Sequence, residues 1–237
     1  MLARSLLFVV WLYGGMTVCG VLGAPFAAFS EKAATTTARI WTRVTLWGAR
    51  ALCGIRVEIV GLEKIPEGAC LMAMKHHSML DTLLPFLLLE KPSIVLKREL
   101  LSMPIFGWYT QRVGCIAIDR GAHASALKGL LRAARDVAAR GRSIVIFPEG
   151  TRQAVGAPPD YKPGVAALYR DLAAPCVPVA LDTGRCWPAH GVMRRPGRVT
   201  IQILDPIAPG LSRGDFMAEL ETRIETATAR LIAAPNA

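Results

Sequence analysis

The amino-acid sequence predicts an α/β fold, with a mixed, largely parallel sheet flanked by helices and preceded by an N-terminal membrane-associated helical segment. Two observations indicate the sheet. Beyond residue 54, short apolar runs alternate with segments of helical period, and several runs are too uniformly apolar to have a solvent-facing side. A third observation, an uncharged apolar stretch near the N-terminus, indicates the membrane segment. We therefore divide the chain into N-terminal membrane-associated helices at 1–53 and an α/β domain at 54–237.

The uncharged stretch covers residues 5–29, and a helix needs about 20 apolar residues to cross the hydrocarbon core of a bilayer. Its length predicts a membrane segment. Because several glycines and Pro25 interrupt it, a helix that enters one leaflet and returns is an alternative to a full span. A cleaved signal peptide is disfavoured, since the stretch exceeds the usual apolar region and Pro25 follows the small residues at which cleavage would fall.

Residues 38–54 predict a basic amphipathic helix at the membrane surface, with Arg39, Arg43 and Arg50 along one edge. The opposite edge contains Ile40, Val44, Gly48, Ala51 and Leu52. An ordinary core helix with a solvated face is the alternative. Basic residues are more numerous after the apolar stretch than before it, which places the α/β domain on the cytoplasmic side of the membrane.

The α/β domain contains seven apolar runs with the length of strands: RVEIVG, ACLMAM, SIVLK, CIAID, SIVIF, VPVAL and RVTIQIL. The clearest helix covers 127–138, and Gly141 supplies its stop. A second predicted helix begins at Ser212, where Asp215 completes a capping pattern. The buried stripe of this helix is predicted to contain Phe216, Leu220, Ile224 and Leu231. In such a fold, functional groups are expected at the carboxyl ends of the strands.

The composition limits the classes of partner. The formal net charge is +10 and 52% of residues are hydrophobic, and the mean hydropathy of +0.36 favours contact with lipid. A basic surface suits nucleic acid, anionic lipid or phosphorylated substrates, but no basic tract interleaved with aromatic residues is present, so we predict no nucleic-acid partner. The six cysteines lack CxxC spacing, which predicts reduced core residues without a disulfide or metal framework.

A polar cluster, KHHSMLD at 75–81, lies between an apolar strand and an apolar helix. One interpretation is structural, because Ser78 and Asp81 form a capping pattern that starts a helix. A metal site is a second interpretation, since His77 and Asp81 are spaced i, i+4, but no third ligand appears at a familiar spacing and we predict no metal. In the catalytic interpretation, Asp81 fixes the tautomer of His76 so that the other ring nitrogen can accept a proton.

Three further segments follow or form predicted strands. Asp119 and Arg120 end VGCIAIDR, and FPEGTR at 147–152 follows the strand SIVIF. Either segment alone is compatible with an ordinary turn or a solvated charge pair. VPVAL at 177–181 has only the composition of a buried strand.

In order and at these separations, the pair His76 and Asp81, then GCIAIDR, FPEGTR and VPVAL resemble the glycerolipid acyltransferases, in particular the bacterial 1-acyl-sn-glycerol-3-phosphate acyltransferases. The resemblance covers most of 55–205, and the ordered set is more specific than any single motif. It implies an enzyme of phospholipid biosynthesis. That enzyme would transfer a fatty acyl group from acyl-CoA or acyl carrier protein to the free hydroxyl of lysophosphatidic acid, giving phosphatidic acid.

The resemblance also implies roles for individual residues. His76 would be the general base, and Asp81 would orient it. The residues implied at the substrate are Lys97, Arg120, Glu149, Gly150, Thr151, Arg152 and Pro178; Arg120 would hold the acceptor's phosphate and Pro178 would shape the wall against the acyl chain. The chain departs from the family pattern where Lys75 replaces the Asn that usually precedes the catalytic histidine, and where His77 follows it.

Further expectations accompany this function. A thioester is already activated, so we expect neither a bound cofactor nor a metal. Because the lysolipid and its product reside in the bilayer, the resemblance implies a protein bound to the bacterial inner membrane, with its catalytic domain facing the cytoplasm. The alternatives are an acyltransferase for another lysolipid such as lyso-ornithine lipid, a non-catalytic peripheral protein that binds anionic lipid, and a phosphohydrolase using His77, Asp81 and a metal.

Overall fold

A computed structural model describes residues 1–119 and 123–235, without the side chains of residues 123 and 124. The helices are α1 (Leu2–Ala27), α2 (Glu31–Cys53), α3 (Pro85–Leu88), α4 (Phe106–Arg112), α5 (His123–Ala138), α6 (Gly164–Leu172) and α7 (Arg213–Ala233). The strands are β1 (Ile55–Val60), β2 (Leu71–Met74), β3 (Pro92–Lys97), β4 (Ile116–Ile118), β5 (Ser143–Ile146), β6 (Cys176–Leu181) and β7 (Gly197–Ile203). Each predicted strand is therefore present.

The strands form one 7-stranded sheet in the order β1-β7-β6-β2-β5-β3-β4. Neighbouring strands are parallel except for the antiparallel pair β6 and β7. The predicted mixed, largely parallel sheet is thus confirmed. Since β2 to β6 run in one direction, their carboxyl ends meet at one edge, where the loops that follow them can form a common site.

The side chains of β2 alternate between two apolar layers, because successive residues of a strand point to opposite faces. Met72 and Met74 pack in the layer that contains α1 and α2, whereas Leu71 and Ala73 pack in the layer that contains α5, α6 and α7. Helices therefore cover both faces of the sheet, as the uniformly apolar strands predict.

The helices α1 and α2 form an antiparallel hairpin. Trp11 Nε1 donates to the backbone carbonyl of Val44 at 2.9 Å, and Trp41 Nε1 donates to that of Leu12 at 3.1 Å. The helices approach closely at Gly48, where a Cβ would lie 2.2 Å from Trp11 Cδ1. The two indoles and this glycine together specify the register in which the helices pack.

The helix α1 is continuous over 26 residues, because Pro25 lies in its last turn and the glycines do not interrupt it. By length and composition it could cross a membrane. An 18-residue stretch of α1 has a mean hydropathy of 1.9, and only 17% of that stretch is buried inside the protein. We use the term apolar hairpin face for the exposed large apolar side chains of α1, of the turn after it and of α2. These are Leu2, Leu6, Leu7, Val10, Trp11, Tyr13, Val18, Val21, Leu22, Phe26, Phe29, Ile40 and Trp47.

The helix α2 forms as predicted, and Arg43 and Arg50 of its predicted basic edge are exposed. Ile40, placed on the apolar edge, is 48% exposed. Arg39, on the same predicted basic edge, is half-buried and donates to three backbone carbonyls at the C-terminal end of α3. The face against the domain is instead rich in threonines, of which Thr35, Thr42 and Thr45 are buried. The spacing of apolar residues along the sequence does not reveal such a face, because threonine is counted as a polar residue.

The two helices predicted in the α/β domain are also confirmed. The helix α5 contains the predicted segment and is followed by Gly141, whose φ of +67° is in the left-handed region that favours glycine. Ser212 caps α7, since its side chain accepts a hydrogen bond from the Asp215 N–H. Of the predicted stripe, Leu231 alone is only half-buried, and Phe216, Leu220 and Ile224 are buried.

Candidate active site

His76 and Asp81 form a hydrogen-bonded pair just beyond the carboxyl end of β2. His76 Nδ1 lies 3.0 Å from Asp81 Oδ2. The Asp81 side chain is fully buried, whereas the His76 side chain is 11% exposed. A tight turn that leads into a 3-10 helix at Leu80–Thr82 folds the chain back and brings the two side chains together.

Both carboxylate oxygens of Asp81 accept hydrogen bonds from the surrounding turn. Oδ2 accepts the backbone N–H groups of His77 and Ser78, each at 2.7 Å. Oδ1 accepts the hydroxyl of Thr183 at 2.6 Å and that of Ser78 at 3.3 Å. The structural and catalytic interpretations of KHHSMLD are therefore compatible, because the carboxylate that closes the turn also fixes the imidazole of His76.

The pKa of the Asp81 carboxyl lies below its usual value. Burial alone would raise that pKa, but the hydrogen bond and charge of His76, the Thr183 hydroxyl and the Ser78 N–H together more than offset burial. Asp81 is therefore ionised at neutral pH. An ionised acceptor holds a proton on Nδ1 of the imidazole, which leaves Nε2 as the basic nitrogen.

His77 lies in a different environment. It is 1% exposed, and its Nδ1 has no hydrogen-bond partner within the described chain. Burial lowers the pKa of His77 from 6.5 to about 4, so this ring is neutral at neutral pH. Over the described residues, no group of three His, Cys, Asp or Glu side chains is placed to hold a metal ion. His77 and Asp81 thus lack the third ligand that a protein metal site needs, and the absence of a metal stays a prediction.

His76 lines a mostly apolar cavity of about 490 Å³. Its ring stacks on Phe147, with the centroids 4.1 Å apart. The cavity lies between the hairpin and the sheet, because α1, α2, β3 and α4 all supply lining residues. The hairpin contributes Tyr13, Met16, Cys19, Gly20, Thr37, Ala38 and Trp41. The N-terminal helices are therefore part of the site, which the sequence did not predict.

Two cationic residues line the same cavity, Lys97 at the end of β3 and Arg152 in the loop after β5. Gly150 and Thr151 of that loop also line it. The loop is tied to the segment that contains His76, because the Gln153 N–H donates to the carbonyl of His76 at 2.8 Å. The fold thus brings together four of the seven residues predicted at the substrate, from the end of β3 and the loop after β5, with His76 from the segment after β2.

Glu149 and Pro178 lie away from the cavity, and Arg120 lies outside the described residues. Glu149 is 1% exposed and accepts a hydrogen bond from Lys75 behind the cavity wall. Pro178 lies within β6, whose next residue, Val179, packs on the hairpin side; Pro178 itself points to the opposite face. The motif order placed both residues at the substrate, but strand alternation directs Pro178 to the other face, and the turn after β5 directs Glu149 toward Lys75.

Sequence reasoning missed Thr183, which is fully buried and hydrogen-bonded to Asp81. A signal was available, because Asp182 and Thr183 are polar residues directly after the apolar strand β6. That strand is parallel to β2 and adjacent to it, so the residues after both strands meet at one edge of the sheet.

Comparison with known proteins agrees with this geometry. The acyltransferase family model matches residues 56–182. The chain is 35% identical to the 1-acyl-sn-glycerol-3-phosphate acyltransferase of Pseudomonas aeruginosa over 94% of this chain and 87% of that protein. It is 27% identical to the enzyme of the same name from Saccharomyces cerevisiae, over 93% of this chain and 74% of that protein. The crystal structure of the 1-acyl-sn-glycerophosphate acyltransferase PlsC from Thermotoga maritima has the same fold, with a TM-score of 0.83 over 100% of both chains at 22% identity. The chain therefore belongs to the acyltransferase family.

Proposed function

We propose that this chain is a membrane-bound 1-acyl-sn-glycerol-3-phosphate O-acyltransferase. It transfers a fatty acyl group from acyl-CoA or acyl carrier protein to the free hydroxyl of lysophosphatidic acid and produces phosphatidic acid. One observation carries the proposal: His76, held 3.0 Å from Asp81, lines an apolar cavity that Lys97 and Arg152 also line. The names of the relatives from P. aeruginosa and S. cerevisiae support it.

In the proposed mechanism, Nε2 of His76 accepts the proton of the acceptor hydroxyl. The hydroxyl oxygen attacks the thioester carbonyl carbon, a C–O ester bond forms, and the C–S bond breaks. The imidazolium then returns its proton to the departing thiolate. The Asp81 carboxylate holds the Nδ1 proton and stabilises the positive charge that develops on the ring.

The cavity matches the two chemical parts of this acceptor. Ligand cavities are usually apolar with a few placed polar groups, and this one combines apolar helix side chains with cations. The planar guanidinium of Arg152 can bind two phosphate oxygens, and Lys97 adds a second positive charge. An acyl chain in the apolar part and a phosphate at the cations would leave the glycerol hydroxyl near His76.

The hairpin supports attachment to a bilayer, and we infer that it inserts into one leaflet. The helix α1 packs along α2, on which Arg43 and Arg50 are exposed, so a full span would draw these charges into hydrocarbon. Tyr13 lies both on the apolar hairpin face and in the cavity lining. A lipid acceptor could therefore enter from the membrane, with the domain on the cytoplasmic side of the bacterial inner membrane.

The test uses the full chain in lipid nanodiscs. Lysophosphatidic acid and lyso-ornithine lipid are each supplied with acyl-CoA and with acylated acyl carrier protein, and products are identified by mass spectrometry. We expect phosphatidic acid from lysophosphatidic acid with at least one donor, and little acylation of lyso-ornithine lipid, which has no phosphate. Preferred acylation of lyso-ornithine lipid would contradict the assigned acceptor.

A matched pair of histidine variants tests the site. His76→Ala should abolish transfer, whereas His190→Ala, at an exposed histidine, should leave it unchanged. If the wild-type chain binds anionic vesicles but transfers no acyl group from either donor, a non-catalytic lipid-binding protein replaces the proposal.

A further inference from the structure

A buried group of charged residues lies on the face of the sheet opposite the cavity. Lys75 Nζ donates to Oε1 of Glu149 at 2.7 Å and to Oε1 of Glu225 on α7 at 2.8 Å. The side chains of Lys75 and Glu149 are 2% and 0% exposed, and that of Glu225 is 26% exposed. The Tyr161 hydroxyl donates to the same oxygen of Glu225 at 2.9 Å. We refer to these four residues as the Lys75 cluster.

The charges of the Lys75 cluster do not favour a purely stabilising role. Burial raises the pKa of Glu149, and the Lys75 ammonium and the His76 N–H act against that shift. Removing an ion pair from water costs free energy, and well-packed apolar side chains of similar volume are often equally or more stabilising. An ammonium buried between two carboxylates is therefore better explained by the geometry that it imposes.

That geometry connects two segments of the active site. Lys75 directly precedes His76, and Glu149 directly precedes Gly150, which lines the cavity together with Thr151 and Arg152. Because successive residues point to opposite faces, the ion pair lies on one side of the sheet edge while His76 faces the cavity on the other. The pair thus joins the two backbones one residue away from the groups that would contact substrate.

We propose that Lys75 is a positioning residue, whose ion pair with Glu149 sets the placement of the Arg152 loop relative to His76. The inference rests on the proposed function, since it assigns Lys75 a part in that reaction. Lys75 does not line the cavity and acts through its neighbours. A displacement of about 1 Å at reacting groups can lower a rate on the order of 10²-fold, which is the loss expected when the pair is removed.

Three variants separate positioning from folding. Lys75→Met keeps the side-chain length and leaves the Glu149 carboxylate without its cation. The double variant Lys75→Met/Glu149→Gln removes both charges. Leu220→Ala truncates a fully buried side chain of α7 in the apolar layer away from the cavity, and so lowers stability without touching the pair. Each is assayed for kcat, for KM with lysophosphatidic acid and for Tm.

We expect Lys75→Met to lower kcat/KM on the order of 10²-fold. The double variant should recover most of the lost Tm, because the fully buried Glu149 position no longer carries an unpaired charge and the remaining carboxylate, Glu225, is 26% exposed, but it should not recover the lost kcat/KM. Leu220→Ala should lower Tm and leave kcat/KM unchanged below its unfolding temperature. Recovery of both Tm and kcat/KM in the double variant would show that the pair serves folding alone, and wild-type kcat/KM in Lys75→Met would equally overturn the proposal.

Hydrogen exchange supplies a readout that needs no acyl transfer. In Lys75→Met the amides of 147–153, including the Gln153 N–H bound to the His76 carbonyl, should exchange faster. Those of β7 should keep wild-type rates. A wild-type chain without acyltransferase activity would refute the proposed function, whereas unchanged exchange at 147–153 would refute the role of Lys75, so the two failures are distinguishable.

Discussion

Replacing Asp81 by asparagine isolates the charge of the carboxylate from its shape. The asparagine oxygen can occupy the Oδ2 position and accept the N–H groups of His77, Ser78 and the His76 ring. Its NH₂ group can occupy the Oδ1 position and donate to the hydroxyls of Thr183 and Ser78, which can rotate to accept. We therefore expect the variant to fold with a nearly unchanged turn.

The expected loss is in the chemical step. When His76 takes the substrate proton, its positive charge lies roughly 4 Å from the carboxylate, and two unit charges at that distance interact by about 4 kcal/mol at an effective dielectric constant of about 20. Without the negative charge this stabilisation of the transition state is lost. At about 1.4 kcal/mol per tenfold, kcat should fall on the order of 10³-fold.

The assay measures thiol release from acyl-CoA at saturating lysophosphatidic acid, together with Tm. Asp182→Asn is the matched control, because Asp182 is a neighbouring buried carboxylate that accepts from the Thr200 N–H and does not line the cavity. Asp182→Asn should keep kcat close to wild type. A loss of less than about tenfold in Asp81→Asn with Tm unchanged would refute the role of Asp81 in stabilising the imidazolium.

Three further predictions concern pH, packing and substrate. Burial lowers the pKa of His77 from 6.5 to about 4. At a pH between these two values, His77 therefore binds a proton in the unfolded chain but not in the folded chain. The free energy of unfolding should therefore fall on acidification, by on the order of 2 kcal/mol from pH 6.5 to 5, and His77→Gln should flatten that dependence in urea titrations. A Cβ at Gly23 would lie 2.4 Å from Thr37 Oγ1, so Gly23→Ala should destabilise the hairpin by roughly 1–3 kcal/mol, whereas Gly14→Ala, with open space around it, should not lower Tm. Arg152→Ala should lower kcat/KM for lysophosphatidic acid by roughly 10-fold to 10²-fold, as expected for a lost charged hydrogen bond. The same variant should leave kcat/KM for monoacylglycerol unchanged, because that acceptor lacks the phosphate.

The fold was largely predictable because its signals are local. Seven apolar runs of strand length mark the strands, and the cap at Ser212 and the stop at Gly141 mark two helix ends. The sheet direction followed from the alternation of strands with helices. The face of α2 that packs on the protein was not predicted, since apart from Trp41 it consists of threonines and small residues that an apolar period does not reveal.

The site was partly predictable for the same reason. His76 and Asp81 are close in the chain, so a turn suffices to pair them, and the loop of Arg152 follows a strand that lies beside β2. Thr183 is distant in sequence and reaches Asp81 only because β6 is also adjacent to β2.

By itself, the sequence determined the strands, the apolar N-terminal helix and the histidine and aspartate pair, because each depends on residues near one another along the chain. Tertiary structure alone decided which face of the sheet each side chain reaches. That face separates His76, at the cavity, from Lys75, in the buried cluster behind it. It also decided that the hairpin lines the cavity, because residues of α1 and α2 meet those of β3 and α4 around it only in the folded chain.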